Sequence, residues 1–107
     1  MASFSFDDVL LVPQYSEIES RRVLTTKNSL GDIELYLPVI SSPMDTVTEV
    51  EMASIVDAHG GLGIIHRYNS PADQANLVKR ARLKDTKNVG AAIGVTGDYL
   101  ERAQAVV

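Results

Sequence analysis

The fold is decided by the stretch LPVISSPMDTVTE at residues 37–49 together with GGLGIIHRY at residues 60–68. Each segment contains a short apolar run that leads into a polar turn, PVISS at 38–42 and LGII at 62–65. A third apolar run, VGAAIGV, occupies residues 89–95. Continuous rather than alternating apolar runs are typical of strands that are buried on both faces of a parallel sheet. The sequence therefore predicts three parallel strands.

The stretch after the first strand predicts a helix. We expect this helix to open at Thr46, because residues 46–49 (TVTE) have the form of a capping box. Gly60 and Gly61 are expected to end it. Its predicted apolar face carries Met52, Ile55 and Val56.

Two more helices are predicted. The second opens at Ser70, a capping residue followed by Pro71 at the first helical position. Its apolar stripe is Gln74, Leu77, Val78 and Ala81. The third opens near Asp98, and its stripe is Leu100, Ala103, Val106 and Val107. The order β-α-β-α-β-α predicts an α/β protein with a parallel sheet, either open or closed into a barrel.

The first 36 residues follow a different pattern. Residues 23–26 and 33–37 are interpreted as two short strands around turn material at 28–32. This segment could cover the bottom of a barrel. The last residue, Val107, falls within an apolar stripe, so we expect the pattern to continue in the same or a companion chain.

Composition and charge exclude several classes of protein. The chain has 107 residues, 45% of them hydrophobic, and a formal net charge of −4, which suits one globular domain. The densest basic group, at residues 79–84, is interpreted as a solvated helix face and not as a nucleic-acid surface. There is no cysteine, no signal peptide and no apolar run long enough for a membrane span, so a cytoplasmic protein is expected.

Candidate ligand-binding residues follow the predicted strands, because parallel α/β proteins bind ligands at the carboxyl ends of their strands. After the first strand, Ser41 and Ser42 could hold polar ligand groups, and Met44 offers a soft apolar surface for a flat ring. The alternative is that the serines satisfy the backbone of the turn and that Asp45 helps to cap the helix.

The second strand ends at His66 and Arg67. His66 could carry a proton or contact a ligand, although a satisfied structural histidine is the alternative. Arg67 could pair with a phosphate or a carboxylate. The glycines at 90, 94 and 97 match neither a dinucleotide-binding fingerprint nor a P-loop, and no metal-binding or nucleophile motif is present. The residues alone predict a ligand site without defining a reaction.

Three ordered motifs resemble the IMP dehydrogenase and GMP reductase family. They are FDDVLLVP at residues 6–13, SSPMDTVTE at 41–49 and GGLGIIH at 60–66. The resemblance runs nearly from end to end. It implies that the chain is the N-terminal part of a single catalytic domain, a (β/α)8 TIM barrel, of which it supplies a hairpin segment and about three βα units.

The resemblance also implies a function, with IMP dehydrogenase as the closer match. Such an enzyme oxidises IMP to XMP with NAD, by way of a cysteine that attacks the purine C2 atom and a covalent intermediate that water hydrolyses. Ser42 and Met44 would contact IMP, whereas Asp45, His66 and Arg67 would lie on the cofactor side or behind the site. No catalytic residue and no metal ligand is expected in this chain, since the cysteine and the K⁺ site of the family belong to later units. Family members are typically homotetramers.

Two alternatives to an IMP dehydrogenase remain. Most IMP dehydrogenases carry a pair of CBS modules between the second helix and the third strand, whereas residues 82–88 run directly into Val89 here. GMP reductases often lack these modules, so an NADPH-dependent GMP reductase is the second hypothesis. Against it, the chain has SSPMDTV where reductases usually have ANMDTV, and it lacks their Ser-Gly-Thr sequence after the third strand. The third hypothesis is an inactive fragment that serves as a structural piece of an assembly.

Overall fold

The computed structural model describes residues 2–107, which form a small hairpin and a parallel α/β unit. Two 3₁₀ turns, Phe6–Asp8 and Arg21–Val23, precede these elements. The strands and helices are, in chain order, β1 (Asn28–Leu30), β2 (Ile33–Leu35), β3 (Ile40–Ser41), α1 (Val50–Ala58), β4 (Leu62–Ile65), α2 (Pro71–Leu83), β5 (Val89–Ala91) and α3 (Tyr99–Val106).

The predicted parallel sheet is confirmed, and the structure shows that its strands β3, β4 and β5 lie in that spatial order. Each new strand is added on the same side of the preceding one. Because βαβ crossovers are right-handed, α1 and α2 lie on the same face of the sheet. The core between sheet and helices is built on Ala53, Ile65 and Val78. Gly63 is required at the contact with α1, because a Cβ atom there would lie 2.5 Å from the Cα of Ala53.

The prediction that the first helix opens at Thr46 is wrong. Helix α1 begins at Val50 with Glu49 as its N-cap, and no side chain caps it. The reason is that Glu49, the second residue of the capping box, and Thr48 beside it have other partners. The buried hydroxyl of Thr48 donates to the carbonyl of Ser42, and the carboxylate of Glu49 accepts from His66. The start of α2 at Pro71 is confirmed, with the Ser70 hydroxyl accepting from the amide of Asp73.

The hairpin is shifted relative to the sequence prediction. The predicted strand at 23–26 is wrong, because Val23 closes a 3₁₀ turn and the strand lies at Asn28–Leu30, within the predicted turn. The actual turn is the two-residue loop Gly31-Asp32, which suits a tight hairpin because Gly31 has a φ of +58°. Among the parallel strands, the predicted limits 38–42 and 89–95 shorten to Ile40–Ser41 and Val89–Ala91.

Two of the predicted apolar stripes are partly wrong. In α1 the buried residues are Val50 and Ala53, whereas Met52 and Ile55 are 41% and 56% exposed. The close approach at Gly63 explains this rotation of α1, because it brings the small side chain of Ala53 against the sheet. In α3 the buried residue is Arg102. The stripe of α2 is confirmed, with Gln74, Val78 and Ala81 buried.

The turn between α2 and β5 is closed by side chains of α1. The carboxylate of Asp57 accepts hydrogen bonds from the amides of Lys87 (2.8 Å) and Asn88 (3.0 Å). The hydroxyls of Ser54 and Thr86 lie 2.8 Å apart. This short turn joins the two elements directly, so no inserted module separates them in this chain.

The segment before the hairpin contrasts with this packed unit. Every residue from 2 to 27 is exposed, including Phe6 (97%), Leu10 (95%) and Leu11 (97%). No helix within residues 2–107 has the length and apolar character that a membrane crossing requires.

Candidate functional site

Three loops lie at the carboxyl edge of the sheet, the edge at which parallel α/β proteins bind ligands. They are residues 42–49 after β3, 66–70 after β4 and 92–98 after β5. All the residues for which the sequence predicts a ligand role, apart from the end of β3 itself, fall in these loops.

The first loop is folded tightly around one carbonyl group. The carbonyl of Ser42 accepts from the amide of Met44 (2.8 Å) and from the hydroxyl of Thr48 (2.5 Å). Thr48 is fully buried, so this second bond anchors the loop to the start of α1. The side chains of Ser42 and Met44 remain exposed, Met44 by 51%. The loop therefore presents a hydroxyl and a thioether on a fixed backbone.

The two neighbouring serines differ in their surroundings. The hydroxyl oxygen of Ser41 is buried and has no hydrogen-bond partner within residues 2–107. Its strand partner is Gly63, which faces α1, so Ser41 points toward the helices. Ser42, the next residue, is exposed at the carboxyl edge.

Asp45 satisfies the turn and does not cap α1. Its carboxylate accepts from the amide of Thr46 at 3.0 Å. Asp45 also lines a groove of about 410 Å³ between α1 and α2, together with Leu77 and Arg80. Ser42 and Met44 do not line this groove.

His66 is buried, with 3% of its surface exposed, and both of its ring nitrogens have partners. Nδ1 accepts from the amide of Tyr68 (3.1 Å), and Nε2 lies 2.9 Å from the carboxylate of Glu49. Because Nδ1 is an acceptor, this geometry assigns the ring proton to Nε2, which donates to Glu49. His66 thus ties the loop after β4 to the N-cap of α1.

Arg67 is exposed and extends toward the loop after β5. A Cβ atom on Gly94 would lie only 2.9 Å from an Nη atom of Arg67, so the glycine leaves room for the guanidinium. No carboxylate within residues 2–107 forms an ion pair with Arg67. The group is therefore available to an anionic ligand, for which its fork of donors is suited.

The sequence reasoning missed a buried polar cluster behind these loops. At its centre is Arg102 (4% exposed), whose guanidinium donates to the fully buried Gln74, to Asn69 and to Asp98. The available signal was a glutamine inside the predicted apolar stripe of α2. Arg102 lies outside the predicted stripe of α3 and gave no such signal. As for metals, no group of three His, Cys, Asp or Glu side chains in the described residues is arranged to hold an ion.

The fold and the loops define the chain as part of a parallel βα-repeat protein with a candidate ligand site at the carboxyl edge. Residues 3–107 match the family described as the IMP dehydrogenase / GMP reductase domain, and the chain belongs to this family. Most of the relatives considered are named inosine-5'-monophosphate dehydrogenase, and one is named GMP reductase.

Individual relatives agree with this assignment. The inosine-5'-monophosphate dehydrogenase of Korarchaeum cryptofilum is 41% identical over 98% of this chain and 22% of the relative. A GMP reductase of Leishmania donovani is 39% identical over 73% of this chain and 16% of the relative. A crystal structure of inosine 5' monophosphate dehydrogenase from Legionella pneumophila superposes with a TM-score of 0.77 and 40% identity, covering 95% of this chain and 31% of that one. The chain thus spans about a fifth of the length of the curated relatives that it matches.

Proposed function

We propose that the protein to which this chain belongs is an IMP dehydrogenase, which oxidises IMP to XMP with NAD. The observation that carries the proposal is the carboxyl edge of the sheet, where the family motif SSPMD holds Ser42 and Met44 exposed on a loop anchored by Thr48. The relatives named as inosine-5'-monophosphate dehydrogenases at about 40% identity support it.

We further propose that residues 1–107 supply the first three βα units of a (β/α)8 barrel and form part of a single catalytic domain. Two features of the sheet support this. Its strands are added in sequence order, and its helices lie on one face, as in consecutive βα units of a barrel. The partners of the chain are then the rest of the barrel, IMP and NAD, in a homotetramer.

In this proposal each loop has its own task. The hydroxyl of Ser42 hydrogen-bonds near the ribose phosphate of IMP, and the thioether of Met44 packs against the base. Arg67 lies on the cofactor side, where its unpaired guanidinium can meet a phosphate of the dinucleotide. His66 acts behind the site and not as a proton carrier, because both of its nitrogens are already engaged. Asp45 is assigned the same supporting role, since it satisfies the turn beside Met44.

The chemical step needs residues outside this chain, which contains no cysteine. A cysteine thiolate outside this chain would add to C2 of IMP, and NAD, held on the side of Arg67, would supply the acceptor for the hydride of C2. Water then attacks C2, releasing XMP and restoring the thiol. The residues of this chain bind and orient the reactants, and no potassium ligand is assigned among them.

GMP reductase is the second candidate. The similarity to the Leishmania donovani enzyme and the direct α2–β5 turn, which carries no CBS modules, favour it. The sequence SSPMDT in the first loop favours the dehydrogenase. The direct turn leads us to propose that this enzyme lacks nucleotide regulation through modules at that position.

The test is to supply the purified full-length gene product with IMP and NAD and to follow NADH formation by absorbance. We expect NADH and XMP in equal amounts. A protein that makes no NADH from IMP but oxidises NADPH in the presence of GMP is a reductase instead. If neither reaction occurs in a folded protein, the chain acts only as a structural piece.

A further inference from the structure

The ends of β4 and β5 are joined by a side chain and not by backbone alone. The last backbone bond between these strands runs from the amide of Ala92 to the carbonyl of Ile65 (2.9 Å). Beyond it, the carbonyls of His66 and Ala92 are both acceptors and cannot bond to each other. The amide nitrogen of Gln74 bridges them, at 3.0 Å and 2.8 Å. A fully buried amide thus extends the sheet past its last backbone pair.

Arg102 holds this amide in the required orientation. One Nη atom of its guanidinium donates to the side-chain oxygen of Gln74 (3.1 Å), which leaves the NH₂ group facing the two carbonyls. The same Nη atom donates to the side-chain oxygen of Asn69 (3.1 Å), and the second donates to the Asn69 carbonyl (2.7 Å). Asp98 balances the buried charge, with its carboxylate 2.8 Å from Arg102.

The cluster formed by Gln74, Arg102, Asn69 and Asp98 therefore fixes both loops at once. The loop after β4 carries Arg67 between the bridged residue His66 and the clamped residue Asn69. The loop after β5 carries Gly94 between Ala92 and Asp98, and Gly94 is the point that the guanidinium of Arg67 reaches. Within residues 2–107, the loop after β3, with Ser42 and Met44, makes no direct hydrogen bond to the cluster, and its side-chain link to the loop after β4 is the pair Glu49–His66.

We propose that Gln74 and Arg102 are positioning residues for the cofactor side of the site, acting through the loops that bear Arg67 and Gly94. This inference rests on the proposed function. The guanidinium of Arg67 can bind an anion with its fork of donors only while the loop that bears it is held in place. Loss of the bridge should therefore weaken productive NAD binding, whereas IMP binding through the loop after β3 should be retained.

The experiment compares Gln74→Leu in α2 and Arg102→Lys in α3 with control variants that are placed on the same two helices. Gln104→Leu and Arg82→Lys make the same chemical changes at exposed positions. In the full-length enzyme we expect each cluster variant to raise the KM for NAD about tenfold, with the KM for IMP within about twofold of wild type. Arg102→Lys keeps the charge beside Asp98 but loses the fork of donors that reaches Gln74 and Asn69. The retained charge should therefore not preserve the wild-type KM for NAD.

A purely structural role would give another pattern. It would lower the folded fraction, and with it the maximal rate, while both KM values stayed unchanged. That pattern, or an equal rise in both KM values, overturns the inference.

Amide hydrogen exchange supplies a readout that needs no activity, so it separates failure of this inference from failure of the proposed function. Gln74→Leu should speed exchange in loops 66–70 and 92–98 relative to residues 50–58, and Gln104→Leu should not. Unchanged loop exchange in Gln74→Leu overturns the inference even if the wild-type protein proves to be no dehydrogenase.

Discussion

Polar side chains lie at both edges of the parallel sheet, but they are hydrogen-bonded at one edge and exposed at the other. At the amino edge, the carboxylate of Asp57 accepts hydrogen bonds from two backbone amides, and the hydroxyls of Ser54 and Thr86 are hydrogen-bonded to each other. At the carboxyl edge, Ser42, Met44 and Arg67 are exposed on loops whose backbones are held by buried partners. At the amino edge the polar side chains close a turn by hydrogen bonds. At the carboxyl edge the named side chains remain exposed on loops of fixed backbone.

The difference shows how a βα repeat separates stability from function. Side chains that satisfy a turn contribute chiefly to folding. Side chains that stay free on an anchored loop contribute little to folding, so they can serve a ligand. Substitutions at the two edges should therefore have effects of different kinds, and this separation can be tested.

The largest expected effect on stability is at the amino edge. Asp57→Ala removes the acceptor of two backbone amides and should lower the free energy of unfolding by about 2–3 kcal/mol, since bonds to a charged group are worth more than neutral ones. Affinity for IMP should not change. Chemical denaturation and equilibrium binding of IMP measure the two quantities.

Asp85→Asn is the control for this change. Asp85 lies in the same turn, is exposed and has a φ of +64°, a conformation that asparagine also adopts. It should leave both quantities unaltered. A loss of IMP affinity in Asp57→Ala without a loss of stability would contradict the separation of the edges.

A smaller effect, of the opposite kind, is expected at the carboxyl edge. Ser42→Ala should weaken IMP binding about tenfold, the equivalent of one hydrogen bond of about 1.4 kcal/mol, because the exposed hydroxyl is the proposed contact to the nucleotide. The free energy of unfolding should change by less than about 0.5 kcal/mol, as for most surface substitutions. The same pair of measurements applies.

Ser41→Ala is the matched control, one residue away on the same strand end. The hydroxyl of Ser41 is buried and has no partner within residues 2–107, so its removal should leave IMP affinity intact and hold or slightly raise stability. If Ser41→Ala weakens IMP binding and Ser42→Ala does not, the assignment of the two serines is reversed.

The sequence was sufficient to predict the repeat and its site-bearing loops. Continuous apolar runs located the strands at 62–65 and near 40 and 90, and Ser70-Pro71 marked the start of α2 correctly. These features depend on local pattern and capping chemistry, which a single sequence displays.

What could not be predicted depends on contacts between distant residues. Thr46 and Glu49 form a correct capping-box pattern, but the Glu49 carboxylate accepts from His66 and the neighbouring Thr48 bonds to Ser42, so α1 starts later. The burial of Arg102 could not be predicted for the same reason, because its partners Gln74 and Asn69 lie 28 and 33 positions earlier in the chain. Residue spacing along a helix gives no information about such partners.

The proposed ligand site at the carboxyl edge is tested most directly by a hydrogen-exchange footprint of IMP on the full-length protein. We predict that saturating IMP slows amide exchange in residues 42–48 at the carboxyl edge and leaves residues 86–88 at the amino edge unchanged. Protection at residues 86–88, or no protection at 42–48 while IMP is bound, would contradict the assignment of the ligand site.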